Sequence, residues 1–509
     1  MQLLGVSRTG RAGKVAGGCA LLLALGVPYS ASAQVNGRGL DVGNMLSAGA
    51  FATKGEVETR ELAVTPLVGL QETFTDNAFL TSTNKEYDFI TRPMAGVQVV
   101  SQGGPAVGTL LAHVYYDAYA RASSLSGVSG DAQANGSYTL VPAFLTIDAN
   151  GFLTNTYTSS FGVAAEDRAG LANRVQVASY SIGPRMTTTI GDFADFTAFG
   201  HFSQIFFDDP NGSSALVPSD STIEQGAASL DTDSRFKGFQ FVTALQYVRD
   251  DHMFESYGAL QTAYVNITED LRVIARGGYD AATDPGIVDI HAPIWSAGLE
   301  YQINPLSKIS VERGERFNHA AWTANLHLQL SDKIYADGRY TELLQPSQIQ
   351  IGGSFDQFLT EAGTLPQPLA PGTFGINNNL NNQVSLNKLA DLHLVYQFEN
   401  DTIDFGAYWN DQMFLALNRR GQSVIGTLDY SRVIAEDLSA SVGGSYWRTL
   451  SNPLFPASEF YAGRLSLQYD LNPTMRAYAG YSYSHQALLG LTGTSVSENL
   501  LYAAITKRF

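Results

Sequence analysis

The chain holds one cysteine in 509 residues, Cys19, so it can build neither a disulfide framework nor a thiolate metal cluster. Long apolar runs are also missing. Val15 to Val27 falls short of the roughly 20 apolar residues of a membrane-spanning helix, and nothing after residue 33 is long enough either. That excludes a spanning helix only. A membrane barrel places its apolar surface in every second residue and keeps its mean hydropathy near zero. Positive charge is scarce, with 31 Lys and Arg against 48 Asp and Glu, a formal net charge of −17. Such acidity disfavours nucleic acid and anionic lipid as partners, because both would be repelled. Catalytic signatures are absent too: no Gly-x-Ser-x-Gly elbow, no His-Glu-x-x-His, no phosphate loop and no EF-hand spacing. The eight histidines are scattered, with no i,i+4 pair. No catalytic residue, metal ligand or cofactor is therefore assigned.

What is present begins with a leader. Arg8, Arg11 and Lys14 form a basic stretch without acids, Val15 to Val27 an apolar one, and Ala31-Ser32-Ala33 a small-residue site before Gln34. Residues 1–33 thus read as a secretory signal peptide. Its removal takes away Cys19 and leaves 28 basic against 48 acidic residues, a net charge of −20. Residues 34–61 are Gly-rich and mixed in charge, and read as a periplasmic segment: a disordered leader, a contact point or a partial plug.

From Leu62 onward the pattern has period 2. Tyr461, Gly463, Leu465, Leu467 and Tyr469 alternate with Ala462, Arg464, Ser466, Gln468 and Asp470. Trp322 to Leu330, Leu392 to Phe398, Ile403 to Trp409 and Ala477 to Tyr483 repeat the scheme. Each such strand has one apolar and one polar face. Tyr469, Phe398 and Trp409 sit at the ends of apolar rows, where the two interfaces of a membrane want aromatics. The final strand, Leu501 to Phe509, closes on an aromatic, the pattern of the last strand of an outer-membrane barrel, so Phe509 is the candidate assembly signal.

Short polar turns are expected at 148–151, 191–192, 268–270, 304–305, 331–332, 400–401, 436–437 and 472–473. Longer loops are expected between them, at 81–87, 122–135, 208–222 and 281–287, the longest at about 345–383. Alternating short and long connections are the mark of short periplasmic turns and longer external loops. The expected fold is all-β: a transmembrane antiparallel up-and-down β-barrel over residues 62–509, with about 22 strands and a range of roughly 18 to 24. The expected location is the outer membrane of a Gram-negative cell.

Leu70-Gln-Glu-Thr-Phe-Thr-Asp-Asn-Ala-Phe-Leu80 and Asp88-Phe-Ile-Thr-Arg-Pro-Met-Ala-Gly-Val97 resemble the opening of a family of outer-membrane β-barrel porins. Glu72, Phe74, Thr75, Asp76, Asn77, Asp88, Ile90 and Pro93 match the family pattern, while Met94 and Ala95 push Gly96 later than its usual place after proline. The motif covers under a tenth of the chain. Family members are often associated with exopolysaccharide or capsule production, so the resemblance implies a role in polymer passage or surface assembly. It assigns no chemistry to Asp76 or Asn77, and Thr-Asp-Asn suits a strand ending in an Asx turn.

A charge facing lipid costs roughly 2–4 kcal/mol at the midplane, so charges within strands should point inward. The pore-lining candidates are Arg272, Arg276, Lys308, Glu312, Asp337, Arg339, Asp391, Asp404, Arg464 and Arg476, with Asp117, Arg316 and Asp470 of the same kind. Such groups either set a field that selects solutes or pair across the barrel and brace it. Tyr115, Tyr119, Tyr335, Tyr408 and Tyr478 should face inward and could carry sugar rings. The reading is a passive pore with no chemical step, for polysaccharide or small polar solutes. A non-conducting accessory barrel of polysaccharide export is the alternative, and an outer-membrane enzyme the third. Outer-membrane lipid and the barrel-assembly machinery are the expected partners, together with polysaccharide in the export reading.

Overall fold

The structure is a computed structural model that describes residues 62–157, 174–208, 219–232, 236, 238–346, 349, 384–451, 457–488 and 495–509. The expected leader (1–33), the segment 34–61 and almost all of the expected loop 345–383 lie outside these residues.

Among the described residues, twenty-two strands follow one another: β1 (Leu62–Thr75), β2 (Asp88–Ser101), β3 (Ala106–Tyr119), β4 (Gly127–Val141), β5 (Leu145–Tyr157), β6 (Arg174–Ile190), β7 (Ala194–Asp208) and β8 (Ser221–Asp231). Next come β9 (Phe239–Asp250), β10 (Glu255–Asn266), β11 (Leu271–Asp284), β12 (Val288–Asn304), β13 (Ser307–Arg316), β14 (His319–Ser331) and β15 (Ile334–Gln345). The last seven are β16 (Ser385–Gln397), β17 (Asp401–Phe414), β18 (Arg419–Ala435), β19 (Leu438–Ser451), β20 (Ser458–Asn472), β21 (Met475–Leu488) and β22 (Ser495–Arg508). Each pairs antiparallel with the next, and β1 pairs with β22 from Leu67↔Arg508 to Thr75↔Leu500. The sheet is a closed barrel. Closure removes free sheet edges, which the hydrocarbon of a membrane does not tolerate.

Alternation decides what faces outward. On β1, Leu62, Val64, Val68 and Leu70 are exposed while Leu67, Gln71, Thr73 and Thr75 are buried. On β22, Leu501, Ile505 and Phe509 are exposed between buried Tyr502, Ala504 and Thr506. Exposed Leu299, Leu428, Leu465 and Leu467 continue the belt. Aromatics edge it: Phe193, Tyr301, Phe398, Tyr469 and Phe509 toward the rim carrying the first strand's start and the last strand's end, and Tyr116, Tyr257, Trp295, Trp322 and Tyr461 toward the other. We call these the terminal rim and the loop rim. An apolar belt of this extent is stable only in lipid, and strands of 10 to 17 residues match or exceed the roughly 9–11 that cross a bilayer. The protein is an outer-membrane β-barrel.

The terminal-rim turns follow local chemistry. In Asn304-Pro305 and Asn472-Pro473 the Asn carboxamide accepts from the backbone N–H two residues on, at 2.9 and 3.0 Å, while proline presets φ for the turn. Three sequence expectations need correction. Asp148 to Gly151 is not a turn but the middle of β5; the turn is 142–144, where Ala143 takes φ 59° and Phe144 N–H reaches Val141 O at 3.0 Å. Its Asp and Asn are inner-face residues, and a polar inner face imitates turn composition. Residues 127–135 of the expected loop 122–135 are strand β4, held by β3 despite their Gly and Ser content. Only 285–287 of the expected loop 281–287 lie outside strands. The loop rim also carries tight turns, such as the two-residue connection Phe317-Asn318 with φ 51° and 61°.

Candidate functional site: the inner wall

All ten candidate charges sit on the face turned away from the apolar belt. They do not reach across the lumen: the pairs run along the wall. Arg272 meets Glu300 at 2.7 Å on the neighbouring strand, and its guanidinium lies 4.3 Å from the Tyr264 ring centre. Arg476 meets Asp470 at 2.7 Å, and Arg339 approaches Asp391 at 3.7 Å, each directly opposite in register. Arg92, which sequence reasoning did not select, forks onto Asp117 at 2.6 and 3.0 Å, and both are buried.

Other pairs step over a whole strand. Arg276 on β11 reaches Glu312 on β13 at 2.7 Å, and Ser296 on the intervening β12 donates to the same carboxylate at 2.9 Å. Arg316 returns from β13 to Asp280 on β11 at 2.8 Å. Arg464 on β20 binds Asp429 on β18 across Gly443 of β19, where a Cβ would collide with both side chains. A glycine in the middle strand is what lets this pair form. Glu300 and Asp429 were missed in sequence because each is legible only once a partner strand sets its register.

Solvent access is graded along the wall. The Arg276 and Glu312 side chains are 8% and 5% exposed, whereas His327 and Asp337, hydrogen-bonded at 2.5 Å, are 49% and 47% exposed. Lys308, opposite His327 in register, is exposed as well. Between these extremes lies a small network: His393 stands 3.7 Å from Asp404 and 2.6 Å from the Tyr408 hydroxyl. Tyr115, Tyr119, Tyr335 and Tyr478 share the inner face by register with these groups, and Tyr115, Tyr119 and Tyr478 are buried. Among the described residues, no three His, Cys, Asp or Glu side chains converge as a metal-holding group.

The inner face is not polar throughout. Toward the loop rim, inward residues of β5 to β9, β11 and β12 form an apolar cluster that includes Phe152, Val177, Ile205, Phe207, Ile223 and Val248, and Leu344 of β15 and half-buried Leu386 of β16 pack into it. Phe254 and Phe317 from tight turns, with Ile349 and Val384 from the ends of the long connection, complete it. The expected polar lumen therefore fails along this arc of the wall, while charged pairs such as Arg316 with Asp280 and Arg92 with Asp117 persist near the loop rim. Ile205-Phe206-Phe207, apolar on both faces, was the sequence signal for this departure.

The Thr75-Asp76-Asn77 motif has a position of its own, where first and last strands meet. Thr75 donates to Glu498 at 2.5 Å, and the Asp76 carboxylate accepts from Asn499 N–H at 2.7 Å and from its carboxamide at 2.6 Å. Asn77 donates to Ser497 O at 3.0 Å and accepts from the Thr81 N–H four residues on at 3.0 Å, so it closes a wider loop than the expected Asx turn while also gripping β22. Asp88 accepts from the backbone N–H groups of Phe89, Arg121 and Ala122 and ties β2 to the next loop.

No family model matches the chain, and no curated protein matches it. Solved structures similar in shape are outer-membrane barrels. The FrpB iron transporter of Neisseria meningitidis, in its F5-1 apoprotein form, aligns with a TM-score of 0.49 at 11% identity, covering 87% of this chain and 81% of that one. The ferric-catecholate import receptor Fiu of E. coli K12 gives 0.46 at 8% identity over 87% and 81%. The siderophore receptor PirA of Pseudomonas aeruginosa gives 0.43 at 9% over 87% and 80%. At these values nothing about activity passes to this chain.

Proposed function

We propose that the barrel is a passive diffusion pore for small polar solutes, with no chemical step. The observation that carries this reading is the water access of His327 and Asp337, each about half exposed although turned away from lipid. In a filled interior such groups would lose hydration at several kcal/mol per ion. Charges of both signs pair along the wall, so the field is local and selection rests on size and polarity more than on net charge. The apolar cluster stands farther along the path, and an apolar constriction restrains ion flow by dewetting. The pore reading requires outer-membrane lipid and the barrel-assembly machinery as partners.

A second reading, an accessory barrel of polysaccharide export, draws on the buried pairs, on the apolar cluster and on the porin-like opening motif. Purified protein in planar bilayers tests the two. Stable conductance steps from heat-modifiable barrel support the pore; a folded barrel that stays silent overturns it in favour of the accessory role.

A further inference from the structure

The wall is not laced to its full height everywhere. β14 and β15 are hydrogen-bonded from their shared turn as far as Ala324↔Tyr340. Beyond that point residues 319–323 of β14 pair only with β13, and residues 341–345 of β15 only with β16. Two strand edges thus face each other unpaired near the loop rim, an arrangement that lipid penalises unless other groups satisfy the backbone.

One side chain fills the seam. Glu342, 4% exposed, accepts from the backbone N–H of Trp322 at 3.4 Å, the Tyr340 hydroxyl at 3.1 Å and the His319 imidazole at 2.8 Å. The Lys388 ammonium stands 3.4 Å away. Four donors from three strands converge on one carboxylate. Beside them the His319 ring stacks on Phe317 at 6.4 Å, and Phe317 and Leu344 belong to the apolar cluster near the loop rim. In front, Tyr340 and Trp409 stack at 6.4 Å beside exposed Trp322 of the aromatic girdle. A similar gap between β4 and β5 beyond Ala132↔Leu153 is bridged by Asn155 donating to Ser129 at 2.7 Å.

We propose that the β14–β15 seam is a lateral binding site for a single-chain anionic amphiphile, of the fatty-acid type. Its carboxylate takes over the donors that Glu342 holds, and its chain lies against Phe317 and Leu344. The chemistry of the occupant follows from the seam: donors already arranged around a carboxylate, apolar Phe317 and Leu344 in the cluster that His319 adjoins, and strand edges left unlaced at the height of the girdle aromatics. The site does not depend on whether the barrel conducts.

The test uses the full chain, purified in a neutral maltoside detergent, with dodecanoate carrying bromine at its chain end as the probe and quenching of the four tryptophans as the signal. Saturable quenching is expected. Lys388→Gln and His319→Gln should each weaken it about fivefold or more, because a charged hydrogen bond is lost. Glu342→Gln should strengthen it about tenfold, because the internal competitor loses its charge while keeping an acceptor. A folding defect would weaken binding in all three variants, so the gain in Glu342→Gln is the discriminating result. Thr323→Cys with Thr341→Cys, one register step beyond the last ladder pair, should abolish quenching when oxidised and restore it on reduction. Undiminished binding to the locked seam, equal binding of bromine-tipped dodecanol, or no gain with Glu342→Gln would overturn the proposal. Conductance of the locked barrel, read separately, reports on the pore reading alone.

Discussion

Arg276 and Asp337 are both inner-wall charges, and their surroundings call for opposite treatment. Arg276 is buried against Glu312 with Ser296 completing the carboxylate's contacts. Arg276→Glu would place two buried carboxylates together and should lower stability by about 3–5 kcal/mol, the usual cost of breaking a buried pair. Arg276→Met with Glu312→Leu should recover most of that loss, since neither charge is then stranded. Urea unfolding of barrel refolded into lipid vesicles measures both. Asp337 lies half exposed beside His327, so Asp337→Lys should leave the unfolding midpoint within error. If the wall lines a pore, it should also shift the reversal potential in a salt gradient toward anion preference. A destabilised Asp337→Lys barrel would mean that this stretch of wall is packed and not wet.

At the scale of elements, closure of the barrel is concentrated at the strand ends. β1 and β22 share nine register pairs, and Thr75, Asp76 and Asn77 add side-chain bonds to Glu498, Asn499 and Ser497 at the loop rim. Asp76→Ala leaves the Asn499 N–H and carboxamide without their acceptor and should cost about 1–3 kcal/mol. Its first sign should be faster amide exchange in β22 than in β12, with heat-modifiable migration retained. Uniform exchange across all strands would deny the motif this latching role. The motif was legible in sequence as a turn, but its partners lie more than 400 positions away, so only chain closure reveals what it grips.

For the whole molecule, the terminal rim should face the periplasm and the loop rim the exterior. An epitope inserted after Asn84, in the exposed connection between β1 and β2, should be reached by antibody on intact cells. One inserted at Asn472-Pro473 should require permeabilised cells, and the reverse pattern would invert the topology. Phe509 belongs to the same rim, its N–H bonded to Pro66 O at 3.1 Å and its ring outward with the Lys507 ammonium 4.8 Å from its centre. Its deletion removes little buried surface, so an equilibrium effect should be small. A large loss of inserted, heat-modifiable protein would therefore point to a role in recognition during assembly, and normal insertion would remove Phe509 from that role.

Strand existence, strand number and the assignment of faces came from the sequence alone, because a membrane barrel writes its environment into every second residue. Leu465 and Leu467 read outward and Arg464 and Ser466 inward without any knowledge of their neighbours. Turn positions were legible where Asn-Pro or Gly set the backbone, and misread at Asp148 to Gly151, where inner-face polarity mimics a turn. Three features belong to the tertiary structure: the step-over pairs such as Arg464 with Asp429, the apolar cluster near the loop rim, and the seam filled by Glu342. Each depends on the relative register of separate strands, which closure of the barrel fixes and which no local alternation of polarity encodes.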